Sequence, residues 1–226
     1  MLSTLHSDPV APLLARLFAE AEVTDERVLA PLRTLPPDER ARLLAPAGED
    51  WRDLYTRLGA AFLPVSRELG ALLYLLARAR GARRVVEFGT SFGLSTIHLA
   101  AALRDGGSPD ARLIGSEFEP TKVRRAREHL AAAGLADLVE IREGDARTSL
   151  ADVPGPVDLV LLDGAKPLYV PILRLLEPRL AAGAVVVADN VASAPELVAH
   201  VVPANGYVPV PLRCDGEECL LALRLG

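Results

Sequence analysis

The sequence predicts an α/β fold: a doubly wound, mostly parallel sheet, preceded by a helical segment and closed by a C-terminal antiparallel hairpin. Three observations carry that prediction. After Gly81, short apolar runs alternate with helical stretches, the pattern of a parallel sheet covered on both faces. The first of these runs passes through a glycine turn directly into a helix. Near the C-terminus, two apolar runs bracket the turn "CDGEE". With 226 residues, half of them hydrophobic and 24% charged, the chain can bury one substantial core, and disorder is not expected.

Each element has a local reason. Residues 1–60 read as helical, with proline-rich joints at "LPPDER" and "LAPAGED", and form an N-terminal segment ahead of a domain over 61–226. Leu69, Leu72, Leu73 and Leu76 make one helical stripe, capped by Ser66 and ended by Gly81. "RRVVEFG" is a strand, followed by a helix over "GLSTIHLAAALR". "ARLIGSEF" is the next strand, and "PTKVRRAREHLAAAG" the next helix, with Pro120 in its first turn and Gly134 past its end. "LVEIRE", "VDLVLLD" and "AVVVADN" are further strands, with helical stretches at roughly 147–152 and 168–181 between them. "YVPVPLR" and "CLLALRL" form the hairpin.

The composition narrows the partners. A formal net charge of −5 argues against nucleic acid. The basic run "KVRRARE" (122–128) lies on a helix with Val123, Ala126 and Leu130 facing inward, so it reads as a solvated face. Cys214 and Cys219 read as reduced, packed thiols of a cytosolic protein, with a cross-strand disulfide as the alternative. No signal peptide or membrane-spanning run is apparent, so a soluble, cytoplasmic location without a membrane partner is expected.

Several strand ends carry chemistry. In "VVEFGTSFGLST", Gly89 and Gly93 permit a tight turn and a close backbone approach to a ligand. Ser91, Ser95 and Thr96 add hydroxyls near the helix amides for an anionic group. An ordinary strand-to-helix turn would look the same. Ser91 stands where a dinucleotide motif requires glycine, which disfavours NAD. Glu117 ends the second strand, where a carboxylate can accept both ribose hydroxyls. Asp145, or the backbone at Ala146 and Arg147, could meet an adenine edge or simply cap a helix.

Two further runs deliver carboxylates. "LLDGAKPLY" reaches Asp163 with Lys166 three positions on, and "AVVVADN" ends in Asp189 and Asn190. Two carboxylates in one crevice call for a cation, and three oxygen ligands suit a hard divalent ion: magnesium, with calcium or manganese as alternatives. Zinc is disfavoured because no His or Cys lies nearby in sequence. Beside such an ion, desolvation and cationic repulsion would both lower the pKa of Lys166 and fit it to take a proton from a substrate hydroxyl. Asp and Asn are also common turn formers, and a loop lysine is ordinarily solvated. Trp51, Tyr55 and Phe62 could wall an aromatic ring or pack the helical segment's own core.

Taken in order, "VVEFGTSFGLST", "GSEFEP", "LLDGAKPLY" and "ADNV" resemble the cation-dependent O-methyltransferases that use S-adenosylmethionine. That family includes catechol and caffeoyl-CoA O-methyltransferases, and the similarity runs from about Pro64 to the C-terminus. The resemblance implies a Rossmann-like methyltransferase sheet. It also implies a cofactor set of Gly89, Ser91, Gly93, Ser95, Glu117, Asp145, Ala146, Arg147 and Asp163, with Ser95 near the cofactor's carboxylate. Asp163, Asp189 and Asn190 would ligate a divalent metal, and Lys166 would be the general base. The implied substrate is a small hydroxylated molecule, an aromatic vicinal diol. Two departures stand out: Pro209 lies where catechol O-methyltransferase carries a glutamate against the second hydroxyl, and "DGAK" lacks the family's tryptophan before the lysine. Alternatives are a metal-independent methyltransferase of the same fold, an NAD-dependent dehydrogenase and a non-catalytic adenosine sensor. The N-terminal helices could cover the substrate or form a homodimer contact.

Overall fold

The computed structural model describes residues 3–36, 38–39 and 51–226. The expected joint "LAPAGED", and Pro37 and Arg40 of "LPPDER", lie outside them. Helix α1 (Val10–Arg33) buries Leu13, Leu14, Leu17, Phe18 and Ala21, one face at helical spacing. A short α2 (Trp51–Arg57) follows. In α3 (Arg67–Arg80) the Ser66 hydroxyl accepts from the Leu69 amide at 3.0 Å, and Gly81 closes the helix in the left-handed conformation, both as expected.

Strands β1 (Arg84–Phe88), β2 (Arg112–Glu117) and β3 (Val139–Glu143) alternate with α4 (Leu94–Gly106) and α5 (Pro120–Ala132). Then come α6 (Ala146–Ser149), β4 (Val157–Leu162), α7 (Tyr169–Leu176), β5 (Leu180–Ala188) and α8 (Pro195–His200), and finally β6 (Tyr207–Cys214) and β7 (Glu217–Arg224). The sheet order is β3-β2-β1-β4-β5-β7-β6. The first five strands are parallel, and β7 runs antiparallel to both β5 and β6. Asp215 and Gly216, both at positive φ, turn the hairpin.

Two boundaries differ from expectation. The stretch expected as helix to 181 leaves the α-helix at Leu176, and β5 begins at Leu180 rather than at Ala184. Leu180 pairs with Val157, and the register then shifts around Gly183, whose φ is +75°. Tertiary pairing overrides the helical propensity of the alanines there.

Leu17, Phe18, Leu69, Leu73, Ile97 and Leu103 share a core on one face of the sheet, so α1 packs against α3 and α4. The other face buries Val160, Leu162, Ile172, Leu173 and Tyr207. Trp51 joins this second core and meets Phe118 edge-on at 5.1 Å, while Phe62 stacks on Phe92 at 4.2 Å. Both rings therefore dock on the ends of the sheet instead of packing a separate helical core. Among the described residues no helix is long and apolar enough to cross a membrane.

The strand order reverses beside β1, so the crevice beyond the carboxyl ends of β1 and β4 is where this topology collects ligands.

Candidate active site

The turn after β1 is built around a buried carboxylate. Glu87 accepts hydrogen bonds from the hydroxyls of Thr90 (3.0 Å), Ser95 (2.7 Å) and Thr96 (2.6 Å). Burial pushes its pKa up and the three hydroxyls pull it back. Ser95 is thus turned beneath the loop toward Glu87, away from the crevice. Gly89, at φ +99°, has no room for a Cβ, which would lie 2.4 Å from the Asp163 carbonyl oxygen. Glycine is required here for the β1 and β4 ends to touch. Gly93 starts α4, and its α-carbon faces Ala126 rather than the crevice.

Glu117 is held by two backbone amides, Ser91 at 2.7 Å and Glu119 at 2.8 Å, which leaves one lone-pair direction on each oxygen. Ser91, itself at φ +47°, donates its hydroxyl to the Phe62 carbonyl at 2.6 Å. The Phe62 and Leu63 amides in turn donate to Asp25 of α1 at 2.6 and 2.8 Å, so α1 braces the glycine turn.

Asp145 behaves as a helix cap. It accepts from the Arg147 amide at 2.9 Å and from the guanidinium groups of Arg147 and Arg52, each at 2.7 Å. The Arg147 side chain is the main reason its pKa falls to about 2. Gly144 and Ala146 line the crevice beside it, together with Trp51, Phe118 and Ala165. The wall that "DGAK" lacks locally is therefore supplied by Trp51, whose indole Nε1 is buried without a hydrogen-bond partner among the described residues.

At the ends of β4 and β5, Lys166 Nζ donates to the Tyr169 hydroxyl (2.6 Å), Asn190 Oδ1 (3.3 Å) and the Asp189 carbonyl (3.4 Å), and lies 3.8 Å from Asp163 Oδ1. No hydrogen-bond donor among the described residues reaches the Asp163 carboxylate. Burial raises its pKa well above the ordinary aspartate value, with Lys166 opposing the rise and Asp189 adding to it. Burial lowers the Lys166 pKa, whereas Asp163 and Asp189 raise it, so desolvation alone drives the shift.

Sequence distance also misled in one respect. Cys219 donates its thiol to Asp189 Oδ1 at 3.0 Å, so a cysteine does adjoin these oxygens. Both cysteines are free and buried. Glu217, just past the hairpin turn, comes within 3.4 Å of the Asn190 amide nitrogen, so an acid approaches the site although Pro209 does not supply one. Lys122 and Tyr169 also belong to the neighbourhood and escaped sequence reasoning; a lysine in the first turn of the helix after Glu117 was the available signal.

Two clefts meet at Asn190. One, of about 160 Å³, joins Gly89, Ser91, Glu117, Asp163 and Lys166. The other, of about 850 Å³, borders Asp189 and runs along α1 and the hairpin turn.

A methyltransferase-domain family model matches residues 86–191, the span from β1 through Asn190. Catechol O-methyltransferase of Mycobacterium tuberculosis is 40% identical over 162 residues, covering 70% of this chain and 68% of that protein. Catechol O-methyltransferase of Niastella koreensis is 37% identical over 141 residues, covering 59% and 60%. Among solved structures, the O-methyltransferase TomG from Streptomyces achromogenes, in complex with S-adenosylmethionine, superposes with a TM-score of 0.68 at 29% identity, covering 92% of this chain and 99% of that one. Cofactor-bound Rv0187 from MTB gives 0.67 at 29% identity, covering 84% and 97%. The doubly wound sheet and these similarities lead to one conclusion: the chain belongs to the S-adenosylmethionine-dependent O-methyltransferases, in the group that includes the catechol O-methyltransferases.

Proposed function

We propose that this enzyme methylates a hydroxyl of a small aromatic vicinal diol, with Lys166 taking the hydroxyl proton. The observation that carries this reading is the position of Lys166 Nζ: a buried amine at the junction of the two clefts, held by Tyr169 and Asn190. Burial favours its neutral form, the form a base requires. The smaller cleft suits the cofactor, with Gly89 and Ser91 along its amino-acid portion, Glu117 at the ribose and Ala146 at the adenine. The larger one suits the acceptor.

Asp163, Asp189 and Asn190 offer two carboxylates and an amide oxygen, a hard donor set, and the absence of a hydrogen-bond donor at Asp163 among the described residues fits a cation partner. Among the described residues no group of three or more His, Cys, Asp or Glu is arranged as a metal site, so the amide oxygen and open positions would have to complete the shell. A bound divalent cation would supply Lewis acidity to the acceptor hydroxyl. This chain's own residues do the rest. Lys166 accepts the proton, Asn190 and Glu217 orient the diol, and the walls of Trp51, Phe118 and Leu63 keep water from the transferring methyl. The bond to sulfur breaks as the bond to oxygen forms, and the proton rests on Nζ.

The larger cleft carries Glu22, Asp25, Glu26, Glu68, Asp215 and Glu217 against Arg33 and Arg67. That balance repels a phosphate-bearing acceptor and favours a neutral or cationic diol.

A metal-independent route is favoured by a different observation: the Lys166 ammonium already stands 3.8 Å from Asp163. Methyl transfer to a catechol, assayed with and without EDTA, separates the two. Loss of turnover in chelator, restored by magnesium, with Asp189→Asn blunting the response, is the expected result. Full activity in EDTA would exclude the metal, and no transfer to any diol would exclude the substrate class.

A further inference from the structure

Lys122 has no part in the chemistry above. It is the third residue of α5, only 3% exposed, and its side chain lines the cofactor cleft. It was expected on a solvated helix face, and Val123, Ala126 and Leu130 do turn inward as anticipated, but Lys122 is buried with them. Among the described residues its ammonium has no hydrogen-bond or ion-pair partner; the Phe92 ring centroid, 5.5 Å away, is its one ring contact. Its place in the first turn sets it at the positive end of the helix dipole. Burial pushes its pKa down against the pull of Glu117, Asp25, Glu119 and Asp163.

Each of those four carboxylates is engaged elsewhere. Glu117 accepts from the Ser91 and Glu119 amides, and Asp25 from the Phe62 and Leu63 amides. Glu119 caps α5 through the Thr121 amide at 3.2 Å, and Asp163 faces Lys166. A desolvated, uncompensated ammonium that opens into a cleft is a receptor for an anion.

We propose that Lys122 is the counter-ion of the cofactor's α-carboxylate. The assignment rests on the cofactor occupying this cleft. S-adenosylmethionine brings a single anionic group, that carboxylate, alongside two cationic ones. Of the two lysines lining the cleft, Lys166 is committed to Tyr169, Asn190 and Asp163. Lys122 stands beside the Phe92 ring of the glycine turn, and Ser91 of that turn lines the same cleft. The amino-acid end of the cofactor therefore lies along the glycine turn and its sulfonium toward Lys166.

The test compares two ligands on one variant. S-adenosylhomocysteine carries the carboxylate; 5′-methylthioadenosine has the same adenosine and thioether but no amino-acid tail. By calorimetry, Lys122→Met should bind S-adenosylhomocysteine about 10–100-fold more weakly than wild type, the loss of one charge-assisted contact. Methylthioadenosine affinity should change by less than about threefold, which also reports that the variant is folded. Lys122→Arg, which keeps the charge, should retain most of the preference for the carboxylate ligand. Should the methionine variant fail to fold, Lys122→Gln serves the same comparison. Equal losses for both ligands would overturn the proposal in favour of a contact through Glu117 and the ribose, and unchanged S-adenosylhomocysteine affinity would overturn it outright. Wild type that binds neither ligand would instead remove the cofactor from this cleft.

Discussion

The two halves of the crevice treat their carboxylates in opposite ways. At the ends of β1 and β2, Glu87 is met by three hydroxyls from within nine residues of it, and Glu117 by the amide of Glu119 two residues on and that of Ser91 across the glycine turn. At the ends of β4 and β5, Asp163 has no hydrogen-bond donor among the described residues, and Asp189 relies on the Asn190 backbone amide and the Cys219 thiol. The carboxylates of the first half are satisfied before any ligand arrives, so they act as a rigid mould. The second half is buried and under-compensated, the condition under which groups exchange protons and accept cations. A fold that keeps the two apart can hold a cofactor firmly while leaving the reacting end electrostatically open.

Three measurements test that contrast. The largest effect belongs to the open half. Lys166→Met should lower turnover by about 10²–10⁴-fold, the range for a general base, with S-adenosylhomocysteine affinity nearly unchanged. A variant that turned over normally would break the division between mould and reacting end. In the satisfied half, Glu87→Ala leaves three buried hydroxyls without their acceptor and should cost roughly 2–4 kcal/mol, read as a melting temperature lower by about 5–10 °C. Wild-type stability would mean that the hydroxyls have other partners.

The smallest effect is at Asp145, on the rim. Its folded-state pKa is depressed to about 2 by Arg147, so it stabilises the fold above its ordinary pKa near 3.8 and loses that contribution as pH falls through about 2. Because the carboxylate is partly solvated, Asp145→Asn should cost only about 1 kcal/mol at neutral pH. The difference from wild type should close in acid, and a gap independent of pH would show that charge is not what the arginines read.

Much of the mould was legible in the chain because its causes are local. Ser66, Gly81, Pro120 and Gly134 mark helix ends by backbone preference. Glu117 and Asp163 fall at strand ends because their runs of apolar residues stop there. The β5 boundary was not legible: Ala181 and Ala182 are good helix formers, and the strand takes them in because Leu180 before them pairs with Val157 of β4.

Sequence alone thus determined the layered fold, the order of its strands along the chain and the residue types delivered to the crevice, since periodicity and turn chemistry act over a few residues. Tertiary structure decided which way side chains point and what meets them. Ser95 turns under the loop because Glu87, eight residues earlier, is the buried acceptor within reach. Cys219 comes to Asp189 across 30 residues because β7 pairs with β5. Lys122 is buried where the Phe92 ring, itself stacked on Phe62, meets the start of α5, and Trp51 fills the wall beside Ala165 from more than 100 residues away. Such contacts are set by packing around a common core, and no pattern of neighbouring residues encodes them.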